Sequence, residues 1–230
     1  MENTCRFQYL ESYMAEDGHV QVDIQTRISK ASSVFQRLQP IWKCEAISKE
    51  IELQLCSLTA VPTATYACET RKTTAKATKM IDVFYRRCLK RILGISWRNH
   101  ITNDEVVACS GQTALHNIIA TRRRRFIGHI LRLPPTRLAS LAIEWRPEDG
   151  KRNIGRPKTT WQDTLKDLVV MGINWSDKTT AASDRANWRQ IVNQCSTWNR
   201  KICERFKQNP MLINYTQKEE ITTTNCKTTK

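Results

Sequence analysis

The sequence predicts a mainly α-helical protein: an N-terminal helical unit, a C-terminal helical unit, a short N-terminal β-hairpin and a disordered tail. Three observations predict it. Apolar residues recur at spacings of three and four through most of the 230 residues, the period of a helix with one buried face. Only seven residues are glycine, and few stretches alternate with period two. A hydrophobic share of 40%, including seven Trp, is enough for a real core.

The elements follow in order. Residues 6–14 alternate like a strand, and Ala15-Glu16-Asp17-Gly18 carries the Asp-Gly hairpin signal. A helix follows over 22–38, with Ile24, Ile28, Ala31, Phe35 and Leu38 inward and Pro40 ending it. Ser48 is placed to cap a second helix, with Ile51, Leu55 and Leu58 inward and Pro62 breaking it. A basic helix covers 74–93, burying Ile81, Phe84, Cys88 and Ile92, with Gly94 in the C′ position. Thr102-Asn103-Asp104-Glu105 is a capping box opening a helix over 103–109, closed by Gly111. A longer helix begins at Leu115 and is stopped by Pro134-Pro135. A short helix over 137–145 precedes a basic loop punctuated by Gly and Pro over 147–158. A helix then runs from about Thr160 to Gly172, with Trp161, Leu165 and Leu168 inward. A last helix over 184–206 buries Trp188, Ile191, Cys195, Trp198, Ile202 and Phe206. Beyond Asn209 the chain is polar and Thr-rich.

The net charge of +15 is concentrated. Residues 71–98 hold nine Lys/Arg and one acid, and residues 121–166 hold twelve and four. Each block is +8, leaving the rest of the chain at −1. Two basic blocks on a neutral background point to a polyanionic partner. No run of 18 apolar residues occurs, so RNA or DNA fits better than a membrane. Phosphate contacts are expected from Arg86, Arg87, Lys90 and Arg91 on one helix, and from Arg122, Arg123, Arg124 and Arg125 on another. Six to eight such contacts would give a log–log salt slope of roughly −5 to −7 on a duplex. Tyr85 and Trp97 are available to stack on bases, although aromatic residues more often pack in cores.

The arginine run has a bland reading beside the functional one. Four consecutive residues step about 100° each, so they sweep most of the way round the helix. Arg122 falls on the apolar stripe, three residues after Ile119 and four before Phe126. It must snorkel, pair with a carboxylate or meet a phosphate. The alternative is a solvated charge run bordering a core helix.

Nine scattered Cys and no signal peptide read as an intracellular protein, in nucleus or cytoplasm, with free thiols. No Cys-x2-Cys occurs and no His lies within six residues of a Cys, so no metal site is expected. His19, His100, His116 and His129 read as structural or surface residues. Asp163 and Asp167, one turn apart, read as a surface face. Gly155-Arg156-Pro157-Lys158 leaves three readings open. They are a minor-groove insert, a basic loop in which Arg156 and Lys158 contact phosphates, and a plain helix-entry turn capped by Thr159 or Thr160.

Several stretches, taken together and in order, resemble the C-terminal part of the endonuclease–reverse transcriptases of non-LTR (LINE-type) retrotransposons. They are Phe7-Gln-Tyr-Leu-Glu-Ser12, Glu16-Asp-Gly18, Ile24-Gln-Thr-Arg-Ile28, Tyr66-Ala-Cys-Glu-Thr70 and Arg87-Cys-Leu-Lys-Arg-Ile-Leu-Gly-Ile-Ser-Trp-Arg98. The order continues with Thr102-Asn-Asp-Glu-Val106, residues 122–134 and Gly155-Arg-Pro-Lys-Thr-Thr-Trp-Gln-Asp163. Each stretch is weak alone; the ordered set spans roughly residues 6–200. The resemblance implies a residual palm-edge hairpin over 1–19, a thumb-like helical unit over 20–100, a basic C-terminal helical unit over 101–206 and a tail over 207–230. In such enzymes the thumb grips the template–primer duplex and the C-terminal region helps hold RNA or target DNA.

Some residues depart from the family's pattern. Polymerisation there needs palm carboxylates holding two divalent cations, and this chain has no Asp-Asp pair. Mg2+ is therefore implied only for a palm that would precede Met1, and no cofactor is expected in this chain. Arg71 stands where a Trp usually follows Glu-Thr, Thr63-Ala64-Thr65 replaces an apolar run, and Glu11 replaces a small residue. These changes place polar groups at positions normally buried, as in a decayed or truncated copy. The leading expectation is a nucleic-acid-binding fragment of an RNA-directed DNA polymerase, inactive alone. The alternative is a helical protein-interaction module or inert remnant with a Trp-rich face of Trp161, Trp188 and Trp198.

Overall fold

The computed structural model describes residues 6–9, 11–15, 20–72, 74–144 and 167–195. The protein is mainly helical, with one small antiparallel hairpin. Strands β1 (Arg6–Tyr9) and β2 (Ser12–Ala15) pair in the register Phe7 opposite Met14 and Tyr9 opposite Ser12. Helices α1 (Gln21–Arg37), α2 (Gln39–Trp42), α3 (Lys49–Ala64), α4 (Ala75–Ile92), α5 (Asn103–Cys109), α6 (Leu115–Leu131), α7 (Leu138–Glu144), α8 (Asp167–Val170) and α9 (Lys178–Ser183) follow. A helix α10 covers 185–195. No helix among the described residues is long and apolar enough to cross a membrane.

The hairpin turns seven residues earlier than the Asp17-Gly18 signal predicts. The chain reverses between Tyr9 and Ser12, with Glu11 at φ 62°. That left-handed conformation is uncommon outside Gly, and here tertiary contacts hold it. Arg27 donates from Nη2 to the Glu11 carbonyl at 2.6 Å, and its Nη1 and Lys30 Nζ lie 3.3 and 3.2 Å from the Glu11 carboxylate. Lys30, and then Arg27, hold that carboxyl below the usual range.

Helix α1 buries Ile24, Ala31 and Phe35 as the period predicts, with Ile28 and Leu38 partly buried. Pro40 ends it but sits in the first turn of α2, where its missing N–H costs nothing. Helix α3 differs from expectation in two ways. Ile51 and Leu58 face outward, 56% and 69% exposed, while Leu53, Cys56, Ala60, Val61 and Ala64 form the buried face. That face is rich in small residues, which let α3 lie close against α1. Pro62 does not break the helix, which continues to Ala64. Thr59, Thr63 and Thr65 return hydroxyl hydrogen bonds to the carbonyls four residues back.

The C-terminal signals hold where they are described. Gly94 and Gly172 adopt φ 66° and 70°, and the next N–H in each case bonds back to the helix (Ile95 to Lys90, Ile173 to Leu168, both 2.9 Å). Thr102 and Glu105 form the capping box that opens α5. Trp188 and Val192 of α10 are buried, and Ile191 and Cys195 are half-buried. Trp161, Leu165, Trp198, Ile202 and Phe206 lie outside the described residues, as do the Asp17-Gly18 signal and the tail.

Two apolar clusters organise the molecule. The first gathers α1–α5 with Leu115 and Ile119 from the start of α6. The second gathers Ile127 and Ile130 from the end of α6 with Ile143, Leu168, Met171, Trp188 and Val192. Helix α6 thus passes from one cluster into the other, with Arg122, Arg123, Arg124 and Arg125 at the crossing.

Candidate nucleic-acid interface

Helix α4 is capped by Thr74, whose hydroxyl accepts from the Ala77 N–H at 3.2 Å. Ala77, Ile81, Phe84, Tyr85, Cys88, Leu89 and Ile92 are buried. At about 100° per residue, Arg86, Arg87, Lys90 and Arg91 fall within an arc of about 140° centred opposite that buried stripe. Arg87 and Arg91 are exposed, and Arg86 and Lys90 are half-exposed. Lys76 and Lys79, both exposed, fall in the same arc. Both belong to the basic block of residues 71–98, and the 100° step of the helix brings them onto its face.

Among the described residues, none of these six cations has a carboxylate partner. The one acid of the block, Asp82, lies on the buried flank. Its carboxylate accepts from the His116 backbone N–H at 3.1 Å and meets His116 Nδ1 at 2.7 Å, tying α4 to the start of α6. The six cations span about 22 Å of helix at 1.5 Å per residue. That length equals about six axial phosphate spacings on one strand.

The four α6 arginines, also expected to contact phosphates, are placed differently from the α4 cations. Arg122 Nη1 donates to the Thr65 hydroxyl at 2.6 Å. Arg123 and Arg124 are buried, at 5% and 8% exposure. The Arg124 carbonyl accepts from Trp188 Nε1 at 3.1 Å. Of the four, only Arg125 is exposed, and its Nη2 lies 3.2 Å from Asn193 Oδ1. The reason is geometric: four residues in a row sweep about 300° of the helix and cannot share a face, and α6 is packed on two sides. Arg156 and Lys158 lie outside the described residues. Tyr85 is buried in the core, whereas Trp97 is 79% exposed.

The polar residues Arg71, Thr65 and Glu11 have partners. Arg71 Nε lies 2.6 Å from Asp23 Oδ2, both side chains being buried, and Arg71 Nη2 donates to the Tyr66 carbonyl at 2.7 Å. Arg27 lies over the Tyr66 ring at 4.3 Å. Thr65 receives Arg122, and Glu11 receives Arg27 and Lys30. A cavity of about 50 Å3 beside this network is lined by Cys68, Arg71, Lys72, His116 and Arg123. It has room for a water or two, not a nucleotide. Burial pushes the Cys68 thiol up to about 11 despite nearby Arg122 and Arg71, so it is no nucleophile at neutral pH. Among the described residues no three His, Cys, Asp or Glu side chains are grouped as a metal site.

No protein-family model matches the chain, and no solved structure matches it. Over 160 residues it is 24% identical to a transposon-derived protein of Caenorhabditis elegans. The alignment covers 65% of this chain and 56% of that protein, so the chain spans little more than half the length of the relative it matches. The chain is thus similar, at a distance, to a protein of transposon origin.

Proposed function

We propose that the chain is the nucleic-acid-gripping part of a non-LTR retroelement reverse transcriptase, holding the sugar–phosphate backbone of a duplex or hybrid without cutting or extending it. One observation carries the reading: α4 turns six cations to a single open face that no carboxylate neutralises among the described residues. The transposon-derived relative and the ordered set of resembling segments support the retroelement origin. Arg87 and Arg91 are the leading contacts, flanked by Lys76, Lys79, Arg86 and Lys90. Such contacts set the position of a strand and carry no sequence information.

The test is fluorescence anisotropy with a labelled RNA–DNA hybrid across a salt series. Binding at about 50 mM salt with a log–log slope near −5 is expected if all six cations engage. No binding at that salt overturns the proposal. A second reading rests on Leu138 and Leu141 of α7 and Val169 and Val170 of α8, all more than half exposed. They suit a helical protein-interaction module, for which charge reversal on α4 would leave partner capture unchanged.

A further inference from the structure

Trp97 is the most exposed aromatic side chain among the described residues, at 79%. Trp42 and Trp188, by contrast, are 7% and 1% exposed. Its exposure is not that of a loose loop. Gly94 at φ 66° reverses the chain after α4, and Ile95 N–H closes onto the Lys90 carbonyl at 2.9 Å. Ser96 N–H then donates to Asn99 Oδ1 at 2.7 Å, and Asn99 N–H returns to the Ser96 carbonyl at 3.1 Å. Ile95 and Ile101, on either side, pack against the first apolar cluster. Trp97 is therefore the tip of a segment anchored at both ends, held outward where burial was open to its neighbours. The Arg98 guanidinium lies over its ring at 5.7 Å, leaving the opposite face open.

We infer that Trp97 and Arg98 form a stacking platform for an unpaired nucleobase, at the C-terminal end of the basic face of α4. The inference rests on the proposed backbone grip and names the shape of its ligand: a duplex that passes into a single strand. Inside a duplex both faces of each base are covered by neighbours. Only a terminal or single-stranded base offers a free face to an indole. Trp97 stands six positions after Arg91, so the two are at most about 21 Å apart. A strand held by Arg87 and Arg91 thus reaches Trp97 within a few nucleotides. Arg98 supplies a cation to the phosphate of the stacked nucleotide while bracing the ring.

The experiment compares the whole chain and its Trp97→Ala, Trp97→Phe and Arg87→Glu/Arg91→Glu variants by anisotropy. The probes are a blunt hybrid duplex and the same duplex extended by five unpaired nucleotides, as RNA in one arm and as DNA in the other. The wild type is expected to bind at least one extended probe about tenfold tighter than the blunt one, within the roughly 5- to 150-fold that stacking one base provides. Trp97→Ala should lose that preference without changing blunt-duplex affinity, and Trp97→Phe should keep most of it. A wild type that binds blunt and extended probes equally, or a Trp97→Ala variant that keeps the preference, overturns this inference and leaves the grip standing. Absence of binding to every probe overturns the grip and the platform together. Circular dichroism of Trp97→Ala checks that an exposed substitution leaves the fold intact.

Discussion

Gly128 on α6 and Trp188 on α10 meet with no room for a methyl group between them. A Cβ built at Gly128 overlaps Nε1, Cε2 and Cδ1 of the indole. The same indole N–H donates to the Arg124 carbonyl one turn earlier at 3.1 Å. In an ordinary helix interior Gly-to-Ala stabilises by about 0.5–1 kcal/mol. Here Gly128→Ala should instead destabilise by about 1–3 kcal/mol, through overpacking against a ring that is 1% exposed. Trp188→Ala should cost about 3–5 kcal/mol. Urea unfolding checks both, and a stabilising Gly128→Ala would show that the contact is not there.

The Asp23–Arg71 pair should behave as a buried ion pair. Burial lowers the pKa of the Arg71 guanidinium and Asp23 acts to raise it again, so the charge that Arg71 keeps is favoured by its partner. Asp23→Leu or Arg71→Leu alone leaves one charge buried and unpaired, at about 3–5 kcal/mol. The double variant should recover most of that loss. Arg71→Trp should also destabilise as long as Asp23 remains. A double-mutant cycle with no coupling would contradict this.

The two arginine groups should separate affinity from stability. Arg87→Ala/Arg91→Ala is expected to weaken duplex binding and reduce the magnitude of the salt slope by about 2, with Tm unchanged. Arg123→Ala/Arg124→Ala is expected to lower Tm, since both side chains are buried. A slope that responds to the buried pair and ignores the exposed pair would reverse the assignment.

Thiol reactivity should follow burial. With its thiol at about 11, Cys68 is about one part in a thousand thiolate at pH 8. Its alkylation should rise about tenfold per pH unit and stay far behind the exposed Cys109, followed peptide by peptide in mass spectra. The unfolded thiol ionises near 9.0, so the unfolded state holds fewer protons than the fold above that pH. Cys68 should therefore subtract stability progressively between about pH 9 and 11. Rapid labelling of Cys68 at pH 8 in the native protein would be inconsistent with this burial.

What depends on neighbours along the chain is legible in the order of residues alone. The capping box at Thr102 and Glu105, the turn at Gly94, the near-complete extents of α1, α4 and α5, and the polarity of α4 all follow from spacing and turn chemistry. The basic face of α4 was legible because a single apolar stripe leaves one choice of inside. The choice between competing faces is made by packing. Helix α3 carries both Ile51-Leu55-Leu58 and Leu53-Cys56-Ala60-Ala64, and close approach to α1 selected the smaller set. Arg122, Arg123 and Arg124 turned inward because α6 spans two clusters, a fact no local period contains. The hairpin reversed at Glu11 because Arg27 and Lys30, sixteen and nineteen residues on, hold it there. Helical periodicity fixes which residues share a side; which side meets the rest of the molecule is set by partners distant in the chain.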